Sequence, residues 1–458
     1  MTGAGKLLIL GATGDLTGRY LLSALAELAE ANLLSDDLEV VGIARDDWDA
    51  SRFRQHAAGR LAHYARSVVS APARHGLIRR LDYLAGDVTD PAVVSSAVAG
   101  SERAVVVYLA LPPAVFPPVL EALAASRLPA ASRLVVEKPF GSDLASAQVL
   151  NRLLQRRFSE RAVFRMDHFL GKQTVQNLLG LRFANRVFEP LWHRTHIERV
   201  DVIWDETVAL EGRAGYYDSA GALRDMIQNH LLQLLCLIAM EQPARFDERC
   251  LRDRKVEALR AVRRLSRDEV ATLTVRGRYQ GGRVAGREIP DYVDEPGVDG
   301  SRGTETFAET TFFIDNDRWH GVPFRLRTGK ALAVDRREIR IAFRPVSELP
   351  FVEAGDPPQN RLTLQLDPDR MVLDIALNGA GDPFALEPGQ LDSDFPPQEL
   401  SAYARLLLDV FAGDPVLSIR GDEAEESWRI VEPVLATWGT GAVPLLGYPA
   451  GSTGPTPL

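Results

Sequence analysis

A strand, a glycine turn and a helix open this chain, and that order constrains its fold more than any other feature. Lys6 to Leu10 is a short apolar run. It leads into Gly11-Ala-Thr-Gly-Asp-Leu16 and then a helical pattern carrying Leu21, Leu22, Leu25 and Leu28. Gly11 and Gly14 let the backbone turn tightly and approach a ligand closely. The helix start then offers free amide hydrogens to a pyrophosphate. Thr13 occupies the place of the second glycine in the usual GxGxxG spacing. The turn therefore draws its weight from its position at the first strand of an alternating half.

That alternation continues for roughly the first 170 residues. Strand-like runs at Leu38 to Ala44, Leu81 to Ala85, Ala104 to Leu109 and Leu134 to Val136 are joined by helical stretches. These include an arginine-rich candidate from Ser51 to Val68 and another running from Pro112-Pro113 through Ala125. Strands alternating with helices predict a doubly wound parallel sheet of Rossmann type. Beyond Asp201 the pattern changes. A long helix candidate, Ala220 to Met240, and a charged one, Arg252 to Leu265, precede strand-like runs without helices between them. These are Ala271–Tyr279, Thr304–Ile314, Val322–Arg327, Glu338–Phe343, Arg361–Asp367 and Met371–Ala376. Such a series reads as antiparallel sheet. Helices near Glu399–Phe411 and Ala424–Thr437 follow, and the polar Gly/Pro/Thr end is expected to be mobile. With 458 residues the chain exceeds the size at which single cores stop growing, roughly 250–300 residues. The expected organisation is α/β plus α+β. Residues 1–170 form a dinucleotide-binding domain, and 171–458 form a substrate and dimerisation domain with a large, mainly antiparallel sheet.

Composition narrows the function. A net charge of −9 argues against a nucleic-acid partner, which needs a basic field, but leaves room for a small phosphorylated ligand in a local basic pocket. Cys236 and Cys250 fit neither a disulfide framework nor a zinc spacing, and no metal is expected. The most apolar run, Leu231 to Met240, is too short to span a membrane. No leader is visible before Lys6, so a cytoplasmic protein without membrane partners is expected.

Four further segments carry chemistry. Arg45 ends the second strand, where an acid would bind the ribose hydroxyl of NAD and an arginine suits the 2′-phosphate of NADP. NADP is therefore favoured, with NAD as the alternative because Asp46 and Asp47 are adjacent. Glu137-Lys138-Pro139 ends another strand at the sheet edge where such folds bind ligands. There Lys138 can reach both cofactor and substrate, and Pro139 can hold a cis bond. Arg165 to Lys172 packs Asp167, His168 and Lys172 together. On a helical turn His168 and Lys172, four apart, would share an anion-binding face, leaving Asp167 for a distant base. That base is His230, in Arg224-Asp-Met-Ile-Gln-Asn-His230. A lone histidine before an apolar stripe is more commonly a core side chain. Asp225 lies five residues before it, about 140° round an α-helix, so spacing alone does not bring the two together.

Taken together the segments resemble the glucose-6-phosphate dehydrogenase family. The resemblance rests on GATGDLTGRYLL at 11–22, VVEKPFG at 135–141, RMDHFLGKQTVQNLLGLRFAN at 165–185, EGRAGYYDSAGALRDMIQNHLLQ at 211–233 and GVPFRLRTGKAL at 321–332. It implies oxidation of glucose 6-phosphate to the phosphogluconolactone with hydride transfer to NADP, by a cytoplasmic homodimer or homotetramer. Carried over by position, it makes His230 the base and Asp167 its partner carboxylate. His168 and Lys172 hold the phosphate, Glu206 and Asp225 meet sugar hydroxyls, Lys330 lines the substrate pocket and Lys138 bridges substrate and cofactor. Gly11, Thr13, Gly14, Asp15, Leu16 and Arg45 fall on the cofactor side.

Two positions depart from the family pattern. Phe169 replaces a common tyrosine. Asp335 stands where a second lysine is usual, and a one-residue shift puts Arg336 forward as its substitute. Two other readings compete. Sugar dehydrogenases of the glucose–fructose oxidoreductase and inositol dehydrogenase type share the Glu-Lys-Pro strand end and take unphosphorylated sugars, but His168 with Lys172 argues for phosphate. A catalytically weak paralogue that senses sugar phosphate is opposed by the intact Asp167, His230 and Lys172.

Overall fold

The computed structural model describes residues 3–347, 358–381 and 385–456. It divides into two compact units, one of residues 1–172, 243–253 and 398–425 and one of residues 173–242, 254–397 and 426–458.

In the first unit the strands are β1 (Ala4–Leu10), β2 (Glu39–Ala44), β3 (Leu81–Ala85), β4 (Ala104–Leu109), β5 (Arg133–Glu137) and β6 (Val163–Met166). They lie in the order β3-β2-β1-β4-β5-β6 with every pairing parallel. This is the Rossmann-type order, whose switch point falls between β1 and β4. A parallel sheet is covered on both faces, and accordingly every residue of β4 is buried. The helices Leu22–Glu30, Ala50–Tyr64 and Ala402–Ala412 pack into one core on this sheet. The arginine-rich helix stops at Tyr64 rather than Val68, because Ala65 turns extended. A separate helix, Ala71–Arg80, restarts from a Ser70 side-chain cap.

The second unit contains β7 (Ile197–Asp205), β8 (Thr274–Gln280), the hairpin β9 (Gly282–Val284) and β10 (Arg287–Ile289), then β11 (Phe307–Phe312), β12 (Phe324–Gly329), β13 (Arg336–Phe343), β14 (Arg361–Leu366), β15 (Asp369–Asn378), β16 (Leu386–Asp394) and β17 (Leu445–Pro449). Its nine-stranded sheet has the order β16-β15-β14-β13-β7-β12-β11-β8-β17. The pairings are antiparallel except β7 with β12 and β8 with β17. Strand alternation separates two faces. Phe324 and Leu326 are fully buried, while Arg325 and Arg327 between and beyond them pair with Asp201 and Asp205.

Three expectations change here. The helix expected over Ala220–Met240 is broken at Gly221 and is π-helical from Leu223 to Leu231. The run from Ala271 begins inside a short helix, Arg267–Leu273, set by a Ser266–Glu269 capping box. The tail expected to be mobile is tied down as far as it is described. Leu445–Pro449 pairs with β8, Gly451 N–H donates to the Ala331 carbonyl at 2.8 Å, and Ala333 N–H donates to the Ser452 carbonyl at 2.8 Å.

Candidate active site

In the first unit the glycine turn leaves β1 at the switch point. Gly11 has φ 92°, and a Cβ there would lie 2.2 Å from the Ala110 carbonyl oxygen. Only glycine lets the turn approach the end of β4 so closely. Gly11 and Ala12 N–H groups donate to the Ile43 carbonyl at 2.8 and 3.2 Å, fixing the turn to β2. The helix that follows begins at Asp15, behind Gly14, which has no side chain to cap it, and passes into a π-turn, Thr17–Leu21. Its start can therefore receive a ligand's phosphate. Gly14 is exposed, and Leu16 packs on the core. Asp15 accepts from Arg60 at 2.5 Å and pairs with Arg19 at 3.4 Å, so its carboxylate braces the turn.

At the end of β2, Thr13 Oγ1 donates to Asp46 Oδ2 at 2.7 Å. One of the two acids beside Arg45 is thereby engaged by the turn, while Arg45 itself is exposed. Asp87 accepts from Thr89 N–H and Oγ1, which hold its carboxyl below the usual range, and Arg45 adds to the effect.

Lys138 follows β5, and its bond to Pro139 is cis, as expected. Before it stands Glu137, which is buried. Burial pushes its carboxyl up to about 7, against the pull of the Tyr108 hydroxyl and of Lys138. Tyr108 Oη donates to Glu137 Oε1, and Tyr403 hydrogen-bonds the same carboxyl.

The segment after β6 is a 3₁₀ turn, His168–Gly171. Asp167 caps it, accepting from Phe169 N–H at 3.0 Å, and is buried. The turn closes before Lys172, whose backbone is extended. The shared helical face expected of His168 and Lys172 is thus absent; a 3₁₀ turn brings round residues three apart, not four. Lys172 instead lies over the Phe169 ring at 6.0 Å, and His168 meets the same ring edge-on at 5.1 Å. Phe169 is buried, where a phenol would need a partner. A face of His168 stacks on Tyr403, with centroids 5.6 Å apart and planes 13° apart.

In the second unit register assembles the polar cluster. β7 and β12 are parallel, with Asp205 opposite Gly329. The next residues, Glu206 and Lys330, therefore emerge side by side, and Lys330 Nζ reaches Glu206 Oε2 at 2.8 Å. The ammonium also lies 5.2 Å from the centre of the Tyr217 ring. Burial, and next the charge of Asp225, raise the Tyr217 phenol well above its ordinary value. Glu206, Asp225 and Lys330 thus gather around a tyrosine that no sequence motif singled out.

His230 is 1% exposed on the π-helical segment. A π-helix bonds residue i to i+5, which stacks residues five apart on successive turns. The 140° offset expected between Asp225 and His230 belongs to an α-helix and does not hold here. Asn229 serves this geometry. Its Nδ2 donates to the Arg224 carbonyl at 2.9 Å, and its Oδ1 accepts from His230 N–H at 2.6 Å. Gly221, at φ 71°, starts the segment, and Glu305 Oε1 accepts from Leu223 N–H at 3.0 Å.

The two departures from the family pattern are both accounted for. Asp335 Oδ1 accepts from Thr207 N–H at 2.7 Å and Thr207 Oγ1 at 3.1 Å. Arg336, put forward as a substitute cation, is instead bound to Asp205 at 2.6 Å. Residues that reasoning from the sequence missed are Tyr20, Tyr108, Glu137, Tyr217 and Tyr403. Glu137, in Glu137-Lys138-Pro139, and Tyr20 and Tyr217, inside the quoted segments 11–22 and 211–233, lay in motifs without being given a role, and Tyr108 and Tyr403 lay in none.

Residues 8–177 match the family model described as glucose-6-phosphate dehydrogenase, NAD binding domain, and residues 179–458 match its C-terminal domain. Glucose-6-phosphate 1-dehydrogenase of Gluconobacter oxydans is 40% identical, covering 98% of this chain and 94% of its own. A crystal structure of the Mycobacterium avium glucose-6-phosphate 1-dehydrogenase superposes with a TM-score of 0.86 at 36% identity, over 99% of this chain and 96% of that one. A glucose-6-phosphate dehydrogenase solved in complex with its substrate glucose 6-phosphate gives 0.88 at 32% identity, with the same coverage. With a Rossmann-type unit, a large mixed sheet and both halves matched, the chain belongs to the glucose-6-phosphate dehydrogenase family.

Proposed function

We propose that this protein oxidises D-glucose 6-phosphate to 6-phospho-D-glucono-1,5-lactone with NADP as oxidant. The observation that carries the reading is the match of both family models across residues 8–177 and 179–458, on a chain that keeps His230, Asp167, His168 and Lys172. His230 takes the proton of the anomeric hydroxyl as the sugar is oxidised, and Asp167 is assigned the carboxylate that steadies the charged imidazole. His168 and Lys172 hold the phosphate, whose binding energy positions the reacting carbon. Glu206 and Asp225 accept hydrogen bonds from sugar hydroxyls, and Lys330, oriented by Glu206, lines the same pocket. Lys138 lies between sugar and cofactor.

On the cofactor side Gly11, Thr13, Gly14, Asp15 and Leu16 form the phosphate turn. The fit to a dinucleotide is supported by the uncapped helix start and by the close approach at Gly11. NADP, when bound, accepts the hydride. Arg45 suits its 2′-phosphate, and the engagement of Asp46 by Thr13 weakens the acid that would favour NAD. The proposed setting is a cytoplasmic homodimer or homotetramer built through residues 171–458. None of the described helices is long and apolar enough to cross a membrane.

Steady-state rates with glucose 6-phosphate and with free glucose, each with NADP and NAD, test the reading. A higher kcat/KM for the phosphorylated sugar with NADP is expected. A preference for free glucose would overturn it.

A further inference from the structure

Three rings form a column within the first unit. Tyr20 stacks on Tyr403 with centroids 5.1 Å apart and planes 21° apart, and Tyr403 stacks in turn on His168. Tyr20 comes from the π-turn that follows the glycine turn, and His168 from the turn after β6. Tyr403 lies in the first turn of the helix Ala402–Ala412, which starts from a Ser401 side-chain cap and ends at Gly413. That helix is held close. A Cβ on Gly171 would lie 2.4 Å from the Ala402 carbonyl oxygen, and Gln398 Nε2 donates to the Gly171 carbonyl at 2.7 Å. At its far edge the Tyr403 hydroxyl is tied to Glu137. Burial raises that phenol well above its ordinary value. The Tyr403 ring is therefore fixed on both faces and at its hydroxyl, and the His168 ring is fixed on one face and one edge.

We propose that Tyr403, backed by Tyr20, is a positioning residue for His168 that sets how strongly the protein prefers a phosphorylated sugar. The inference rests on the reading of His168 as a phosphate-holding group. An imidazole must point one N–H at a phosphate oxygen, and a free ring about its χ angles would lose that direction on each rotation. Stacking against a clamped phenol removes this freedom before substrate arrives. The effect should fall on the phosphate grip, because His168 is the one ring of the column assigned to the substrate.

The test compares kcat/KM for glucose 6-phosphate and for glucose in wild type, Tyr403→Leu, Tyr403→Phe and Tyr20→Leu, each repeated in a His168→Asn background. Tyr403→Leu is expected to raise KM for glucose 6-phosphate by roughly three- to tenfold, the range of one stacked aromatic pair, with kcat changed far less. The rate with free glucose, which has no phosphate for His168 to hold, should fall less than that with glucose 6-phosphate, so the ratio between the two sugars falls. Tyr403→Phe, which keeps the ring, should restore most of the ratio. Tyr20→Leu, at an exposed edge of the column, should lower it more mildly. In the His168→Asn background none of these changes should alter the ratio further. An equal loss with both sugars, or an undiminished effect without His168, would overturn the inference. If Tyr403→Leu does not fold, the Tyr20→Leu ratio decides alone, and an unchanged ratio counts against the proposal. A wild type without preference for the phosphorylated sugar would instead overturn the functional reading beneath it.

Discussion

Gly11 and Gly221 solve the same backbone problem in the two units, and what occupies the space beside each differs. Both have positive φ, 92° and 71°, and both precede a π-helical stretch. Beside Gly11 lies a backbone carbonyl, that of Ala110, and the helix start has no side-chain cap. Beside Gly221 lies the carboxylate of Glu305, 2.4 Å from where a Cβ would sit, and it fills the helix start by accepting from Leu223 N–H. On the proposed reading the first glycine clears a place for a ligand's anion. The second clears a place for the protein's own anion. The working part of the second helix is therefore its far end, where His230 stands. The same local conformation serves binding in one unit and positioning in the other.

Breaking the second arrangement should have the larger effect on stability. Gly221→Ala places a methyl against Glu305 and strains a left-handed backbone. It is expected to cost roughly 2–4 kcal/mol, combining backbone strain with a displaced buried cap. Urea unfolding measures this as a lower midpoint at unchanged slope. A shift below about 0.5 kcal/mol would mean that Glu305 does not hold the helix.

The buried acids of the two units sharpen the contrast. Glu305 is raised by burial but is opposed by the Leu223 N–H, while Glu137 is raised to about 7 despite two phenols. Between its ordinary 4.5 and about 7, Glu137 stays protonated in the folded chain and ionises in the unfolded one. Its contribution to stability is therefore fully present below about pH 4.5 and is lost as pH rises towards 7, by about 3 kcal/mol. Glu137→Gln should remove that slope, so that the variant gains on wild type as pH rises. Unfolding free energies across this pH range read it directly, and parallel curves for the two proteins would refute it.

Much of the first unit was legible because its devices are local. An apolar run, a glycine and a leucine stripe suffice to define β1, the turn and the helix, and the apolar run of β4 declares a strand buried on both faces. The second unit was less legible because its strands are two-faced. β7 carries Glu198, Arg199, Asp201 and Asp205 on a charged face, so only its pairing with β12 and β13 identifies it. β16, with Pro388 and Gly389 and few apolar residues, is an edge strand whose backbone pairing outweighs a weak pattern. Within the site, residues in a motif were found and residues brought in by folding were not. Tyr403 lies 235 positions from His168 in the chain, and no spacing rule links them. The relation of Asp225 to His230 was misjudged because an α-helix was assumed. The π-helix depends on the Asn229 side chain bridging residues 224 and 230, which hydrophobic periodicity does not record.

On the proposed reading His230 is the base of a sugar-phosphate dehydrogenase. Steady-state NADPH formation from glucose 6-phosphate by wild type and His230→Asn tests it most directly. The amide is smaller but keeps a hydrogen-bonding side chain, and it cannot take the proton. The expected result is a fall in kcat of roughly 10²–10⁴ with KM within a few-fold of wild type. A variant turning over as fast as wild type would contradict it.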